Sequence, residues 1–182
     1  MAERLASARR PLILAGGGAL AAGAALARLA EHLQAPVALT INAKGLLPAS
    51  HPLQIGSTQS LPATRALVAE ADVVLAIGTE LAETDYDVTF KGGFEIPGRL
   101  LRIDIDPDQT VRNYLPELAL VADAELAAEA LLGALQAQPQ PVHESTWGVA
   151  RVADLRKVLA ADWDQPTPVS YTHLRAHETG RN

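Results

Sequence analysis

Apolar positions along this chain follow two rhythms. Short apolar runs recur at Pro11-Leu12-Ile13-Leu14-Ala15, Val37-Ala38-Leu39-Thr40-Ile41, Val73-Val74-Leu75-Ala76-Ile77 and Leu118 to Val121, and Arg99 to Asp106 reads as a further strand with Arg102 and Asp104 inside it. Runs of this kind are typical of strands buried on both faces of a parallel sheet. Between them the spacing turns helical. Residues 19–34 place Leu26, Leu29, Ala30 and Leu33 on one stripe, and residues 62–71 turn Leu61 and Leu67 inward. Asp123 caps a helix running to about residue 138, with Leu126, Ala130, Leu131 and Ala134 facing in. Residues 2–9 read as the end of a helix with Leu5 and Ala8 on one side. Strand alternating with helix predicts an α/β fold, a doubly wound parallel sheet of about five to six strands.

The connections carry the rest of the organisation. Pro36 stops one helix, and a loop runs from Asn42 through Lys44-Gly45 and His51-Pro52 to Gly56. The loop over 79–98 is long for a compact domain and rich in charge, at Glu80, Glu83, Asp85, Asp87, Lys91 and Glu95. Residues 136–141 form a Pro/Gln linker. A further helix, about 145–161, carries Val152, Leu155, Val158 and Leu159, and has no evident sheet to cover, so it reads as leading into another domain. Residues 169–182 drop the core pattern and resemble translated adapter sequence, a non-native tail. Its His173 and His177, four apart, read as part of that tail rather than as a metal pair. The domain reading is therefore 1–138 for the sheet domain, 139–168 for linker and helix, and 169–182 for the tail.

Composition narrows the class. The chain has 182 residues, 48% hydrophobic but only 4% aromatic, so its core is aliphatic. A net charge of −6 argues against a nucleic-acid groove. No cysteine is present, which excludes disulfides and cysteine-ligated metals and suits a reducing, cytoplasmic setting. Arg4, Arg9 and Arg10 before the apolar stretch 12–27 imitate a signal peptide. The glycine triplet inside it and the helical pattern beyond favour strand, turn and helix. No stretch is long enough for a membrane span.

Candidate chemistry gathers at the strand ends. Gly16-Gly17-Gly18 closes the first strand and opens a helix, with the spacing Gly16-x-Gly18-x-x-Ala21. Such a turn suits a phosphate, because glycine lets backbone approach a ligand and helix-start N–H groups point at it. It equally suits close packing of helix on sheet. Strand two ends in Ile41-Asn42-Ala43, without the acid that would hold a nicotinamide cofactor's ribose, which disfavours an NAD-linked oxidoreductase. Asp104 and Asp106, two apart, would point to one face and could take an adenosine ribose, or could cap a turn before Pro107. Gly78-Thr79 ends the third strand at the same edge. His51 reads as a turn residue, and Lys44-Gly45 as phosphate contact or loop solvation.

Four ordered stretches together resemble one family. They are Arg10-Pro11-Leu12-Ile13-Leu14-Ala15-Gly16-Gly17-Gly18, Ala43-Lys44-Gly45-Leu46-Leu47-Pro48 with His51-Pro52-Leu53, Ala71-Asp72-Val73-Val74-Leu75-Ala76-Ile77-Gly78-Thr79, and Ile103-Asp104-Ile105-Asp106-Pro107. Over residues 5–135 the chain resembles the central, Rossmann-like domain of thiamine-diphosphate-dependent enzymes of the acetolactate synthase-like group. Glu83-Thr84-Asp85-Tyr86-Asp87 looks closest to the 2-oxo acid decarboxylase branch, including the 5-guanidino-2-oxopentanoate type.

The resemblance implies a fragment of a larger enzyme. In that family, thiamine diphosphate and magnesium are held by the two flanking domains, where the cofactor supplies the carbanion chemistry that decarboxylates a 2-oxo acid or joins it to a second carbonyl. Neither the family's catalytic glutamate domain nor its Gly-Asp-Gly motif occurs in this chain. The implied partners are those missing domains and further copies of the parent, as dimer or tetramer. The central domain holds FAD or ADP in some members and nothing in others. Carried over by motif, nucleotide contacts would be Gly16, Gly17, Gly18, Gly78, Asp104 and Asp106, with no catalytic and no metal residue. FAD-binding acetolactate synthases carry an Arg-Phe-Asp-Asp-Arg run where this chain has Glu80-Leu81-Ala82-Glu83-Thr84. An acid thus stands where a phosphate-pairing arginine is expected. Two further readings stay beside this one: a nucleotide-free structural domain, and a stand-alone NAD-linked oxidoreductase.

Overall fold

A computed structural model describes residues 1–82, 94–139, 144 and 146–163. The charged segment 83–93, the linker residues 140–143 and the tail with His173 and His177 lie outside the described residues. Six strands form one sheet: β1 (Pro11–Ala15), β2 (Val37–Leu39), β3 (Gln54–Gly56), β4 (Val73–Ile77), β5 (Arg99–Asp104) and β6 (Leu118–Val121). All neighbours run parallel in the order β3-β2-β1-β4-β5-β6. The helices are α1 (Ala2–Ala6), α2 (Gly23–Leu33), α3 (Pro62–Glu70), α4 (Ala124–Gln136) and α5 (Val149–Trp163). This is the doubly wound α/β architecture that the hydrophobic pattern predicts.

Strand parity divides the core. Side chains alternate across a strand, so Ile13, Ala15, Leu75, Ile77, Leu101 and Ile103 face one side. There they meet Leu26, Leu29 and Leu33 of α2 and Leu131, Leu132 and Leu135 of α4. Leu12, Leu14, Val74, Ala76 and Leu100 face the other side, against Leu67 and Val68 of α3 and Val152 and Leu155 of α5. Burial on both faces is why the five positions of β1 and of β4 are all apolar and all buried.

Several elements depart from the sequence reading. The helix after β1 begins as a 3-10 segment, Gly17–Ala22, before α2 proper. The strand at 37–41 stops at Leu39, where Ile41–Ala43 coils into a 3-10 turn. The strand at 99–106 stops at Asp104. The edge strand β3 carries no periodic signal, because only Gln54, Ile55 and Gly56 form it. On α4 the inward stripe is Ala124, Ala127, Ala128, Leu131, Leu132 and Leu135; Leu126 is 71% exposed, and Ala130 and Ala134 also face out. The alanine-rich helix offers two apolar stripes, and packing against α2 selects one.

The largest difference concerns α5. It does have a sheet face to cover. Val152 and Leu155 are buried on the side of α3, and β3 lies beside them through Ile55. Arg151 forms a two-point ion pair with Glu70 of α3, at 3.0 and 2.8 Å. Arg156 donates to the carbonyls of His51 and Gln54, each at 2.7 Å. One helix, α3, is too short to cover that face alone, and α5 completes it.

Candidate functional site

The order of the sheet fixes where a ligand would sit. β1 lies between β2 and β4, so the chain leaves β1 toward one side and later returns to its other side. Crevices open at the carboxyl ends of strands at such a reversal. A cavity of about 220 Å³ lies there. Its walls are the turn after β1 (Gly16, Gly17, Gly18), Thr40 and Asn42 after β2, and Gly78, Thr79, Glu80 and Ala82 after β4. Four of the six residues expected to contact a nucleotide, Gly16, Gly17, Gly18 and Gly78, are thus brought together.

The turns of Gly16 and Gly78 pack directly on each other. A Cβ on Gly16 would lie 2.2 Å from the Gly78 carbonyl oxygen and 2.6 Å from Thr79 Cα. Gly78 itself has φ +57°, and a Cβ there would lie 2.5 Å from the Ala19 nitrogen. The Gly18 N–H donates to the Gly78 carbonyl at 3.0 Å, and the Ala19 N–H donates to Gly16 at 3.0 Å. Two helix-start donors are therefore spent inside the chain. The Gly17 N–H remains unbonded among the described residues.

Asp104 and Asp106 stand at the end of β5 and do not line the cavity. The strand stops at Asp104, so strand alternation does not carry their side chains to a common face. Asp104 Oδ1 accepts from the Asp106 N–H at 3.0 Å, and Asp106 Oδ1 accepts from the Asp108 N–H at 2.9 Å. Each carboxylate gives one oxygen to a local turn. His51 is likewise a turn residue: its Nδ1 accepts from the Leu53 N–H, and its Nε2 sits 3.3 Å from Glu31. Lys44 is exposed and stands outside the cavity.

Arg102 escaped the sequence reading. It sits in the middle of β5, 1% exposed. Its Nη2 donates to the Thr79 carbonyl at 2.9 Å and its Nη1 to the Arg112 carbonyl at 2.6 Å. The guanidinium thus ties the cavity wall after β4 to the loop after β5. Asn113 reinforces the tie, donating to the Glu80 and Leu81 carbonyls at 3.3 and 3.1 Å. An arginine set between Leu101 and Ile103 in the middle of a strand was the available signal.

The electrostatics of the cavity oppose a diphosphate. Glu80 is the one charged residue on its described walls, and it is acidic. At about 220 Å³ the cavity also falls below the roughly 300–1,000 Å³ of typical small-molecule pockets. No group of three or more His, Asp or Glu among the described residues could hold a metal. With no Gly-Asp-Gly in the sequence, the residues present do not fit thiamine diphosphate and magnesium. No helix among the described residues is long and apolar enough to cross a membrane.

Comparison with known proteins fits this geometry. Residues 1–131 match the family model of the thiamine pyrophosphate enzyme central domain. The chain is 46% identical over 160 residues to a probable 2-ketoarginine decarboxylase of Pseudomonas aeruginosa, covering 88% of this chain and 28% of that protein. It is 35% identical over 162 residues to a probable acetolactate synthase large subunit of Methanocaldococcus jannaschii, covering 86% and 27%. Pyruvate oxidase of Lactiplantibacillus plantarum is 33% identical over 159 residues, covering 86% and 25%. An X-ray structure of an enzyme from Mycobacterium smegmatis, assigned as thiamin diphosphate-dependent, superposes with TM-score 0.60 at 27% identity, covering 77% of this chain and 27% of that one. The chain thus spans between 25% and 28% of the length of these curated relatives. The parallel sheet, its order and these matches agree: the chain belongs to the thiamine pyrophosphate enzyme family, as its central domain.

Proposed function

We propose that this chain is the scaffold domain of a thiamine-diphosphate- and magnesium-dependent 2-oxo acid decarboxylase and holds no nucleotide of its own. The 46% identity to a probable 2-ketoarginine decarboxylase across 88% of the chain carries the assignment of the parent reaction. The 2-oxo acid is then one with a guanidino tail. The acidic, cation-free cavity wall and the spent Gly18 and Ala19 donors support the absence of a nucleotide. By this reading the chain alone is inactive, works within a homo-oligomer of the parent, and resides in the cytoplasm. The test pairs the 182-residue chain with the full reading frame that contains it. Each receives thiamine diphosphate, magnesium and 5-guanidino-2-oxopentanoate, and carbon dioxide release is followed. The full enzyme should release it and the chain alone should not. Release by the chain alone, or none by the full enzyme with any 2-oxo acid, refutes the reading.

A second reading, FAD or ADP across Gly16, Gly17, Gly18, Gly78, Asp104 and Asp106, draws on the cavity's place at the sheet reversal. It predicts a flavin absorbance spectrum in the purified chain or a higher melting temperature with ADP.

A further inference from the structure

Thr40 is 2% exposed, yet it lines the cavity. Its backbone is fully engaged: the N–H donates to Ala15 at 2.9 Å, and the carbonyl accepts from Ala43 and from the Ser57 hydroxyl. Among the described residues its hydroxyl has no hydrogen-bond partner. A hydroxyl on a cavity wall that no protein group uses can exchange water for a polar occupant. Thr79, 4% exposed, stands on the opposite wall. Its oxygen accepts from the Leu81 N–H at 3.3 Å, which leaves its hydroxyl hydrogen to donate. The Gly17 N–H and the Asn42 amide add donors unspent among the described residues. These four groups suit a carboxylate. Glu80, the one charged residue on the described walls, suits a positive charge on the same occupant.

We propose that this cavity binds a small metabolite carrying a carboxylate at one end and a guanidinium or ammonium at the other. The carboxylate takes the Thr40 and Thr79 hydroxyls and the Gly17 N–H; the cation pairs with Glu80. The size fits, since about 220 Å³ is too small for a dinucleotide and ample for an amino-acid-sized ligand. The proposal stands on the cavity walls and does not depend on the decarboxylase reading.

Isothermal titration calorimetry on the 182-residue chain tests it, with L-arginine as the probe. Agmatine lacks the carboxylate and pentanoate lacks the cation; ADP and FAD serve as nucleotide controls. Arginine should bind, and agmatine and pentanoate should each bind at least tenfold more weakly. Thr40→Val and Glu80→Gln should each weaken arginine at least tenfold, with far-UV circular dichroism and melting temperature of the free chain unchanged. Unchanged affinity in a folded Thr40→Val or Glu80→Gln chain overturns the proposal. So does tighter binding of ADP or FAD than of arginine, or no arginine binding by the wild-type chain. Decarboxylation by the full enzyme is measured separately, so either proposal can fail alone.

Discussion

The indole N–H of Trp147 donates to the carbonyl of Pro11 at 2.8 Å, across 136 positions of sequence. Pro11 opens β1, one of the two central strands of the sheet, and Trp147 stands two residues before α5. The bond is buried, and Trp147 is 6% exposed. Nearby, the Glu144 N–H donates to the Arg9 carbonyl at 3.1 Å. The chain beyond the linker is therefore fastened to the start of the sheet before α5 begins.

Trp147→Phe keeps most of the apolar contact and removes the donor. It should lower unfolding free energy by about 1–2 kcal/mol. Trp147→Ala should cost about 3–5 kcal/mol, because a large buried ring is lost as well. Urea denaturation followed by circular dichroism measures both. In limited proteolysis the alanine variant should be cut first between α4 and α5.

Glu70 and Arg151 hold α5 to α3. The guanidinium hydrogen-bonded to Glu70 keeps that carboxyl below its ordinary value of 4.5, against some opposing desolvation. A carboxyl depressed in the folded state stabilises the fold above its unfolded value and loses that contribution as pH falls through its folded value. Both side chains are partly exposed, so screening limits the coupling to about 0.5–1 kcal/mol. A double-mutant cycle with Glu70→Gln and Arg151→Met should return that coupling at pH 7. The coupling should shrink as pH drops below 4.5.

Gly16→Ala and Gly133→Ala should act in opposite directions. At Gly16 the new methyl would meet backbone on the neighbouring turn, the Gly78 oxygen at 2.2 Å. Neither turn can yield without parting the ends of β1 and β4, so the loss should reach about 3 kcal/mol or more. Gly133 lies within α4 on its exposed side, with nothing within 4 Å of the added Cβ. There alanine should add about 1 kcal/mol by raising helix propensity. Thermal denaturation of both variants checks the contrast.

Arg102→Met should fill the space but withdraw donors from the Thr79 and Arg112 carbonyls. Charged donors of this kind contribute about 1.5–3 kcal/mol each when buried. Arg102→Lys should recover only part of the loss, because one ammonium cannot span two loops as the planar fork does. Chemical denaturation should rank wild type above lysine and lysine above methionine.

The candidate site was half legible. Gly16, Gly17, Gly18 and Gly78 announce themselves by falling just after apolar runs, and they do converge. That Gly16 and Gly78 pack on each other was invisible, since the contact joins two turns far apart in sequence. Thr40 gave no signal, and Thr79 was marked only as the neighbour of Gly78 at a strand end. A threonine's burial and its missing partner depend on the walls around it.

Local chemistry alone determined the α/β class, the strands β1, β4, β5 and β6 and the stripe of α2. Strands buried on both faces, as β1 and β4 are, read as continuous apolar runs, and a helix facing a sheet repeats near every 3.6 residues; β5 and the exposed edge strand β6 were marked by shorter apolar stretches. Tertiary structure decided the rest. It chose which stripe of α4 is buried, made a strand of Gln54, Ile55 and Gly56, and set α5 on the face that α3 leaves open. In each case the local pattern allowed more than one answer, and the choice fell to contacts with residues distant in the chain.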